Sequence, residues 1–410
     1  MDVDSRKKQK NTEFKMILKE KFERKVKSMS STNIDFLYLS EKDMIEAGVL
    51  DAKKCVETMA DVNALLSEGD TLEGGKNHAE HGIMMGFPKE SPFPDFPLDV
   101  GKDRRFMAMP AYVGGRFHMA GQKWYGSNSF NKDKGLPRSI LMVTLNDVDT
   151  GAPIAFMSGN LLSAMRTGAQ PGLAAKLLAK PDSKTLGLIG CGVVQRTTVM
   201  AIMANFDIET IYIKGSSMTS KSALELKEFI EKEYPAVRKV ELVDSYEAAM
   251  KNADIVSEAV SVEQYKHPVL KPEWVKKGSV FISSGSCEFP DEFVAKGMTC
   301  VVDNVGMYEG YLKTWQEYDK VTGKRKPSGC AGLHMLNCAL DGLMDKKDMH
   351  TLGGIVRGAD PARTSEDEIF FVGVGGMPVL DVAWGHDVYE TAKEKGIGTK
   401  LNLWDTPFLA

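Results

Sequence analysis

Apolar side chains first recur with a helical rhythm in the opening stretch, where Phe14, Ile17, Leu18, Phe22 and Val26 sit about three to four apart among lysines and arginines. That spacing predicts a basic helical arm over residues 1–33, docked on an acidic partner surface or, as is commoner for such appendages, packed on its own subunit. From residue 34 to about 165 helical and extended patterns are mixed. Within that region GFPKESPFPDFPLDVGKD carries four prolines, which cannot donate to a strand ladder, so it reads as loop. RSILMVTLNDVDTGAPIAFMSG is two apolar runs joined by Asp149, Thr150 and Gly151, turn chemistry that predicts a β-hairpin. In NLLSAMRTGAQPGLAAKLLAKP, Leu161, Leu162, Met165, Leu173, Leu177 and Leu178 return to helical intervals despite Pro171.

The middle of the chain then alternates short apolar runs with helical patterns. Strands are predicted at 186–190, 210–214, 240–243, 254–259, 279–283 and 299–303, and helices near 194–204, 221–233 and 246–252. This alternation is the pattern of a doubly wound parallel sheet of Rossmann type. Residues 307–350 show no clear period and read as irregular, whereas PVLDVAWGHDVYETAKEKG predicts a last amphipathic helix that returns to the first domain. The resulting fold class is α/β. A substrate and dimerisation domain of α+β type spans 34–165 and is completed by 374–410, and a dinucleotide-binding domain spans 166–373.

Composition narrows the partners. A chain of 410 residues exceeds what one core usually organises. With 52 basic against 56 acidic residues, a net charge of -4, nothing global favours nucleic acid or an anionic membrane, so a small molecule is the expected ligand. The six cysteines are scattered, without a C-x-x-C pair or histidines at zinc-ligand spacing, which argues against a disulfide scaffold and a structural metal. No stretch approaches the roughly 20 apolar residues a membrane helix needs, and the N-terminus lacks a signal-type apolar region, so a cytoplasmic protein is expected.

The chemistry begins at TLGLIGCGVVQRTTVMAI, a strand, a glycine turn and a helix. Gly190 permits the tight turn, Gly192 lets the backbone approach a pyrophosphate, and the helix N-terminus adds a partial positive charge. Gln195 stands where a third glycine would let helix and strand pack closely, which predicts a wider helix offset. After the second strand, IYIKGSSMTSKS presents Lys214, Ser216, Ser217 and Lys221 with no carboxylate until Glu225. An NAD enzyme usually places an acid there against the ribose 2′-hydroxyl, so this loop predicts NADP(H) favoured over NAD(H). Further cofactor contacts are expected at Thr167, at Val193 and Val194 of the turn, and at Ala259, Val260 and Gly285, where later strands end.

The string RFMAMPAY, GQKWYG and GLPRSILMVTLNDVDTGAPIAFMSGNLLSAMRTGAQPGLAAKLLAKPDSKTLGLIGCG, resumed at RTSEDEIFFVGVGGMPVLDVA, resembles the ornithine cyclodeaminase and mu-crystallin family. With the sheet between them, these segments cover about three quarters of the chain. The resemblance explains the central glycine turn, because in that family the nucleotide domain is inserted after the substrate domain. It also implies a homodimer that pairs the two first domains. Lys123 matches the family's lysine beside the substrate carboxylate and Arg166 its carboxylate-binding arginine; the arginine before MPAY is Arg104 or Arg105. Guanidinium and ammonium groups suit that task.

Departures from the family count as well. Cyclodeaminases carry an aspartate in a G-G-D-x-P-G-K segment, and here SSGSCEFPDEF stands in its place, with Cys287 at the aligned position. Glu288, Asp291 and Lys123 are the candidate proton donors. Segments 74–103 and 308–350 exceed the usual family length. The implied function is hydride transfer at the α-carbon of a small amino, imino or keto acid, by an imine reductase or amino-acid dehydrogenase. The alternatives are a true cyclodeaminase releasing ammonia, and a non-catalytic NADP(H)-binding protein of crystallin type.

Overall fold

The computed structural model describes residues 32–99, 103–262, 266–314, 316–318, 320 and 325–409. The expected basic arm falls almost wholly in 1–31, outside the described residues. Two eight-stranded sheets organise the rest.

The first sheet is built from β1 (Ile34–Leu39), β2 (Thr71–Glu73), β3 (Ile83–Gly86), β4 (Arg105–Val113), β5 (Met119–Ser127), β6 (Ser139–Asn146) and β7 (Pro153–Ser158). A late strand, Thr399–Trp404, joins its edge beside β1. The order inward from that edge is β1, β7, β6, β5, β4, β2, with β3 also paired to β4. The expected hairpin is β6 and β7, antiparallel, and its turn is tied by Asp147, whose carboxylate accepts from the Thr150 backbone at 2.9 Å and hydroxyl at 2.7 Å. The proline-rich excursion holds no strand or helix among its described residues beyond Gly86, the last residue of β3. Alternation along β4 and β5 gives the sheet an inner face. Met107, Met109, Ala111 and Val113 are buried, as are Lys123, Tyr125 and Ser127.

Against that face lies the last helix, Pro378–Lys395. Trp384 is fully buried in it and donates its indole N–H to the Val49 carbonyl at 3.2 Å. The helix Asn160–Leu178 runs through Pro171 as expected and is buried along most of its length. It packs so closely on the helix Val193–Met203 that a Cβ at Gly168 would collide with Thr197, and one at Gly172 with Ala201. Glycine is needed there for close approach of two backbones.

The second sheet is entirely parallel, with β8 (Thr185–Ile189), β9 (Thr210–Lys214), β10 (Lys239–Leu242), β11 (Ile255–Glu258), β12 (Val280–Ser283), β13 (Thr299–Val302), β14 (His350–Thr351) and β15 (Phe370–Gly373). Its order is β10-β9-β8-β11-β12-β15-β13-β14. The chain winds outward one way from β8 and the other way from β11, so a topological switch point lies between them, where open α/β sheets bind ligands. The six predicted strands are present; the two-residue β14 at the edge is an addition, and so is β15, which is wedged between β12 and β13. β15 is a four-residue run buried on both faces, which periodicity cannot distinguish from other apolar segments.

The expectation of irregular structure over 307–350 is corrected. Helices span Val305–Thr314 and Ala331–Leu340. The second, AGLHMLNCAL, is apolar on most sides and largely buried, so it shows no polar stripe by which to recognise it. Among the described residues no helix is long and apolar enough to cross a membrane.

Candidate active site

Three elements converge on one buried charge cluster. Lys123 projects from β5, Arg166 from the helix Asn160–Leu178 and Asp381 from the first turn of the last helix. Asp381 accepts from Lys123 Nζ at 2.8 Å and from Arg166 Nε at 3.0 Å, and Ser163 Oγ lies 3.3 Å from both Lys123 Nζ and Arg166 Nη2. All three charged residues are buried. Burial, then the neighbouring Arg166 charge, pushes the Lys123 ammonium down to about 8. Burial alone would raise the Asp381 carboxyl, but the Arg166 and Lys123 charges outweigh it and hold the group below its ordinary value. One carboxylate thus balances two cations. Arg166 Nη1 is buried without a hydrogen-bond partner among the described residues.

Other ionisable groups face this cluster. Glu73, on β2, pairs with Ala111 of β4, while Met109 pairs with Lys123, so Glu73 shares the inner face with Lys123. Burial pushes its carboxyl up to about 8. Asp303, after β13, accepts from the Gly375 N–H at 2.6 Å, the Tyr308 hydroxyl at 3.0 Å and the Asn304 N–H at 2.9 Å, and burial raises it to about 6. His81 sits near Gly376 and is pushed down to about 3 by burial and by Lys123 and Arg166, so its ring is neutral.

The glycine turn fits a dinucleotide. Gly190 has φ +94°, and a Cβ there would lie 2.7 Å from the Ala259 carbonyl oxygen. Gly192 caps the helix Val193–Met203 with no side chain over the cap and nothing within 4 Å of where a Cβ would stand, so the first helical N–H groups, including those of Val193 and Val194, are left to bind a phosphate. Gln195 does not simply widen the helix offset. It is buried, donates Nε2–H to the Ser257 carbonyl at 2.8 Å and accepts from the Ser257 hydroxyl at 3.0 Å, tying the helix to β11.

At the end of β9, Lys214 donates to the Gly215 carbonyl at 2.6 Å and lies 5.2 Å from the Tyr246 ring; Ser216 and Ser217 are exposed beside it. Ala259, Val260 and Gly285 meet where β11 and β12 end, gathered around the fully buried Glu258. That carboxylate accepts from the Val260 N–H at 2.6 Å and the Ser286 N–H at 3.1 Å. Thr167 donates its hydroxyl to the Ser163 carbonyl at 2.6 Å.

The structure separates the two candidate arginines. Arg105 is on the face of Lys123, and Arg105 and Lys123 lie 6.0 and 5.9 Å from the centre of the Tyr125 ring, with Arg105 paired to Asp103. Arg104 points the other way, donating to the Leu98 carbonyl at 3.1 Å and lying over Phe87.

The proposed donors Glu288 and Asp291 are not brought to the cations, a correction to the expectation. Glu288 pairs with His267 at 3.0 Å and Asp291 with His334 at 2.7 Å, and both line a separate cavity of about 570 Å³ shared with Arg325 and Asp341. The segment after β12 turns away because its backbone pairs with Pro268 and Gly329 instead. Asp291, His334 and Cys338 bring ligand-type atoms within 4.8 Å of one another, though Asp291 and His334 already satisfy each other. Sequence reasoning missed Glu73, Asp303 and Asp381. Only Asp381 carried a signal, as the acid in the matched PVLDVA stretch.

Comparison with known proteins agrees with this architecture. The sequence model of the ornithine cyclodeaminase/mu-crystallin family matches residues 49–396. The N-((2S)-2-amino-2-carboxyethyl)-L-glutamate dehydrogenase of Staphylococcus aureus is 26% identical over 375 residues, 91% of this chain and 100% of that protein. The alanine dehydrogenase of Archaeoglobus fulgidus is 30% identical over 304 residues, 72% of this chain and 83% of the relative. The solved Delta(1)-pyrroline-2-carboxylate reductase of Thermococcus litoralis, in complex with NADH and L-proline, superposes with a TM-score of 0.70 at 26% identity, covering 89% of this chain and 99% of that one.

Proposed function

The chain belongs to the ornithine cyclodeaminase/mu-crystallin family, and from that premise we propose that it is an NAD(P)-dependent oxidoreductase acting at the α-carbon of a small amino or imino acid. The observation that carries this reading is the buried Lys123 and Arg166 pair, ion-paired among the described residues to Asp381 alone and with Arg166 Nη1 lacking a partner among them. Such a site takes one carboxylate. The guanidinium holds it directionally, Lys123 adds charge, and Arg105 approaches from the same face. Fixing the carboxylate orients the α-carbon, an effect that can contribute several kcal/mol to lowering the barrier. The glycine turn would hold the dinucleotide's pyrophosphate, and when bound the nicotinamide supplies or accepts the hydride.

The relatives named above support this reading by their own activities, dehydrogenase and imine reductase. The cyclodeaminase alternative is disfavoured by Cys287, which is buried, with its thiol pushed well above its ordinary value by burial. For the cofactor we favour NADP(H) over NAD(H), on Lys214, Ser216 and Ser217 and the missing acid at that strand end; the solved relative was captured with NADH. The same reading makes the protein a homodimer through its first sheet, where Ile83, Met84 and Met85 of β3 are exposed. It assigns 34–165 with 374–410 to substrate and 166–373 to the nucleotide. All six cysteines are free, consistent with a reducing compartment such as the cytoplasm.

One assay panel tests the proposal. NADPH or NADH is offered with keto acids plus ammonia or methylamine and with cyclic imino acids, and oxidised cofactor with alanine and ornithine, following absorbance and ammonia together. Stoichiometric change in nicotinamide absorbance is expected. Ammonia released from ornithine with no net absorbance change would establish the cyclodeaminase instead. Tight cofactor binding with no turnover of any substrate would overturn the enzymatic reading.

A further inference from the structure

Hydride transfer to an imine needs a second group, one that manages the proton on nitrogen, and the charged cluster narrows the choice. Asp381 already accepts from both cations. Asp303 is saturated by two backbone N–H groups and a tyrosine hydroxyl. His81 is neutral across any working pH, held there by burial and by the two cations. Glu288 and Asp291 belong to another cavity. Glu73 is left. Its side chain is buried on the Lys123 face of the sheet, and neither carboxylate oxygen has a side-chain partner among the described residues; the Val379 backbone N–H, at the start of the last helix, is the one donor beside it. Buried polar groups are normally paired, so an unpaired one in a native fold calls for an explanation.

Two open valences therefore face one cluster. Arg166 Nη1 lacks an acceptor among the described residues, and Glu73 has no side-chain partner, only the Val379 backbone N–H beside it. The ligand that satisfies both carries a carboxylate and, next to it, a nitrogen with a hydrogen or in need of one. We propose that Glu73 binds the substrate nitrogen and gives it its proton, which makes the site selective for α-amino and α-imino acids over keto acids and other carboxylates lacking that nitrogen. This rests on the function proposed above.

In the reductive direction the Glu73 carboxyl begins as the neutral acid and donates its proton to the imine nitrogen. A bound reduced nicotinamide would supply the hydride to the C=N carbon, the π pair would pass to nitrogen as the new N–H bond forms, and Glu73 would be left as carboxylate, to be reprotonated from solvent. Oxidation runs the same transfers in reverse. The groups that face Glu73 are Arg166 from the helix Asn160–Leu178, Asp381 from the last helix, Asp303 after β13 and Tyr311 from the helix Val305–Thr314. Burial, with the Asp303 and Asp381 charges, keeps Glu73 protonated to about pH 8 against the opposing pull of the Val379 N–H and of Arg166, so the acid form is present where a cell would use it.

The test uses the full chain and two matched ligand pairs, L-proline against tetrahydrofuran-2-carboxylate and L-alanine against propionate, titrated by calorimetry with oxidised cofactor present. The unmodified protein is expected to favour the nitrogen-bearing member of at least one pair by tenfold or more. Glu73→Gln should bring that ratio to within about twofold with cofactor affinity unchanged, which also reports that the variant is folded. In turnover, Glu73→Gln and Glu73→Ala should lower kcat for imine reduction by about 100-fold or more, the range of a positioned general acid, and acetate should partly restore Glu73→Ala. If the unmodified protein turns over an imine and Glu73→Gln keeps both its kcat and its ligand preference, the Glu73 assignment is overturned and the proposed function stands. If the unmodified protein neither discriminates within the pairs nor turns over any substrate, both fall.

Discussion

Asp381→Asn is the most informative single change, because it removes one negative charge and leaves two buried cations facing each other. In the native cluster Lys123 Nζ and Arg166 Nε both lie within 3.0 Å of Asp381, whose side chain is fully buried. An asparagine is neutral and replaces one of the two acceptor oxygens, which Lys123 and Arg166 use separately, with an NH2 donor, so neither cation keeps a counter-charge and one faces a donor. Breaking a buried pair by removing one partner typically costs about 3–5 kcal/mol, since the remaining charge is neither solvated nor compensated. At roughly 2–4 °C per kcal/mol for a unit of 150–250 residues, the melting temperature should fall by about 6–20 °C.

Function should follow in a defined direction. Asp381 raises the Lys123 ammonium towards its ordinary value, so its loss lets Lys123 fall below about 8, and part of the charge that grips the substrate carboxylate is lost near neutral pH. The substrate, by returning a negative charge to the cluster, should stabilise Asp381→Asn more than the unmodified protein. Calorimetric melting with and without substrate reads both effects. A loss under about 1 kcal/mol, with equal ligand stabilisation in the two proteins, would refute the argument that Asp381 is the sole counter-charge of a carboxylate site.

Other expectations follow from the same geometry. Arg166→Ala should raise KM for the carboxylate substrate by 100-fold or more, with the Kd for NADPH, measured by fluorescence, changed less than threefold. Lys123 has a folded value of about 8 against 10.5 for the free side chain; it is charged below about pH 8, so KM should rise as pH climbs through that value, and an initial-rate series from pH 6.5 to 9.5 checks it. The same shift means the unfolded chain binds that proton more tightly between about 8 and 10.5, so Lys123 contributes rising stability across that window. Gly190→Ala should abolish dinucleotide binding in calorimetry, since φ +94° is strained for alanine and its Cβ would lie 2.7 Å from the Ala259 carbonyl oxygen. Lys214→Glu should shift the ratio of kcat/KM for NADPH over NADH towards NADH by at least tenfold, read from paired steady-state assays.

The chain's own pattern was enough for the nucleotide half of the molecule. Apolar runs alternating with helical spacing, and two glycines at the end of a strand, specify local structure through steric and hydrogen-bond rules that act within a few residues, and β8 through β13 appear where those rules put them. Lys123 and Arg166 were also legible, because both sit in strongly patterned segments and match the family's motif. Tertiary structure decided the rest. It inserted Phe370–Gly373 between strands that are nearer each other in sequence. It turned Arg105 towards Lys123 and Arg104 away, a one-residue difference in strand register that no composition reveals. It carried Glu288 and Asp291 off to pair with histidines, and brought Glu73 and Asp381, over 300 residues apart, to the same arginine, Arg166. The physical reason is that a buried charge takes its meaning from what is packed against it. Spacing along a chain reports neighbours within an element, whereas desolvation and ion pairing depend on elements that meet only after the two sheets and the last helix have closed around them.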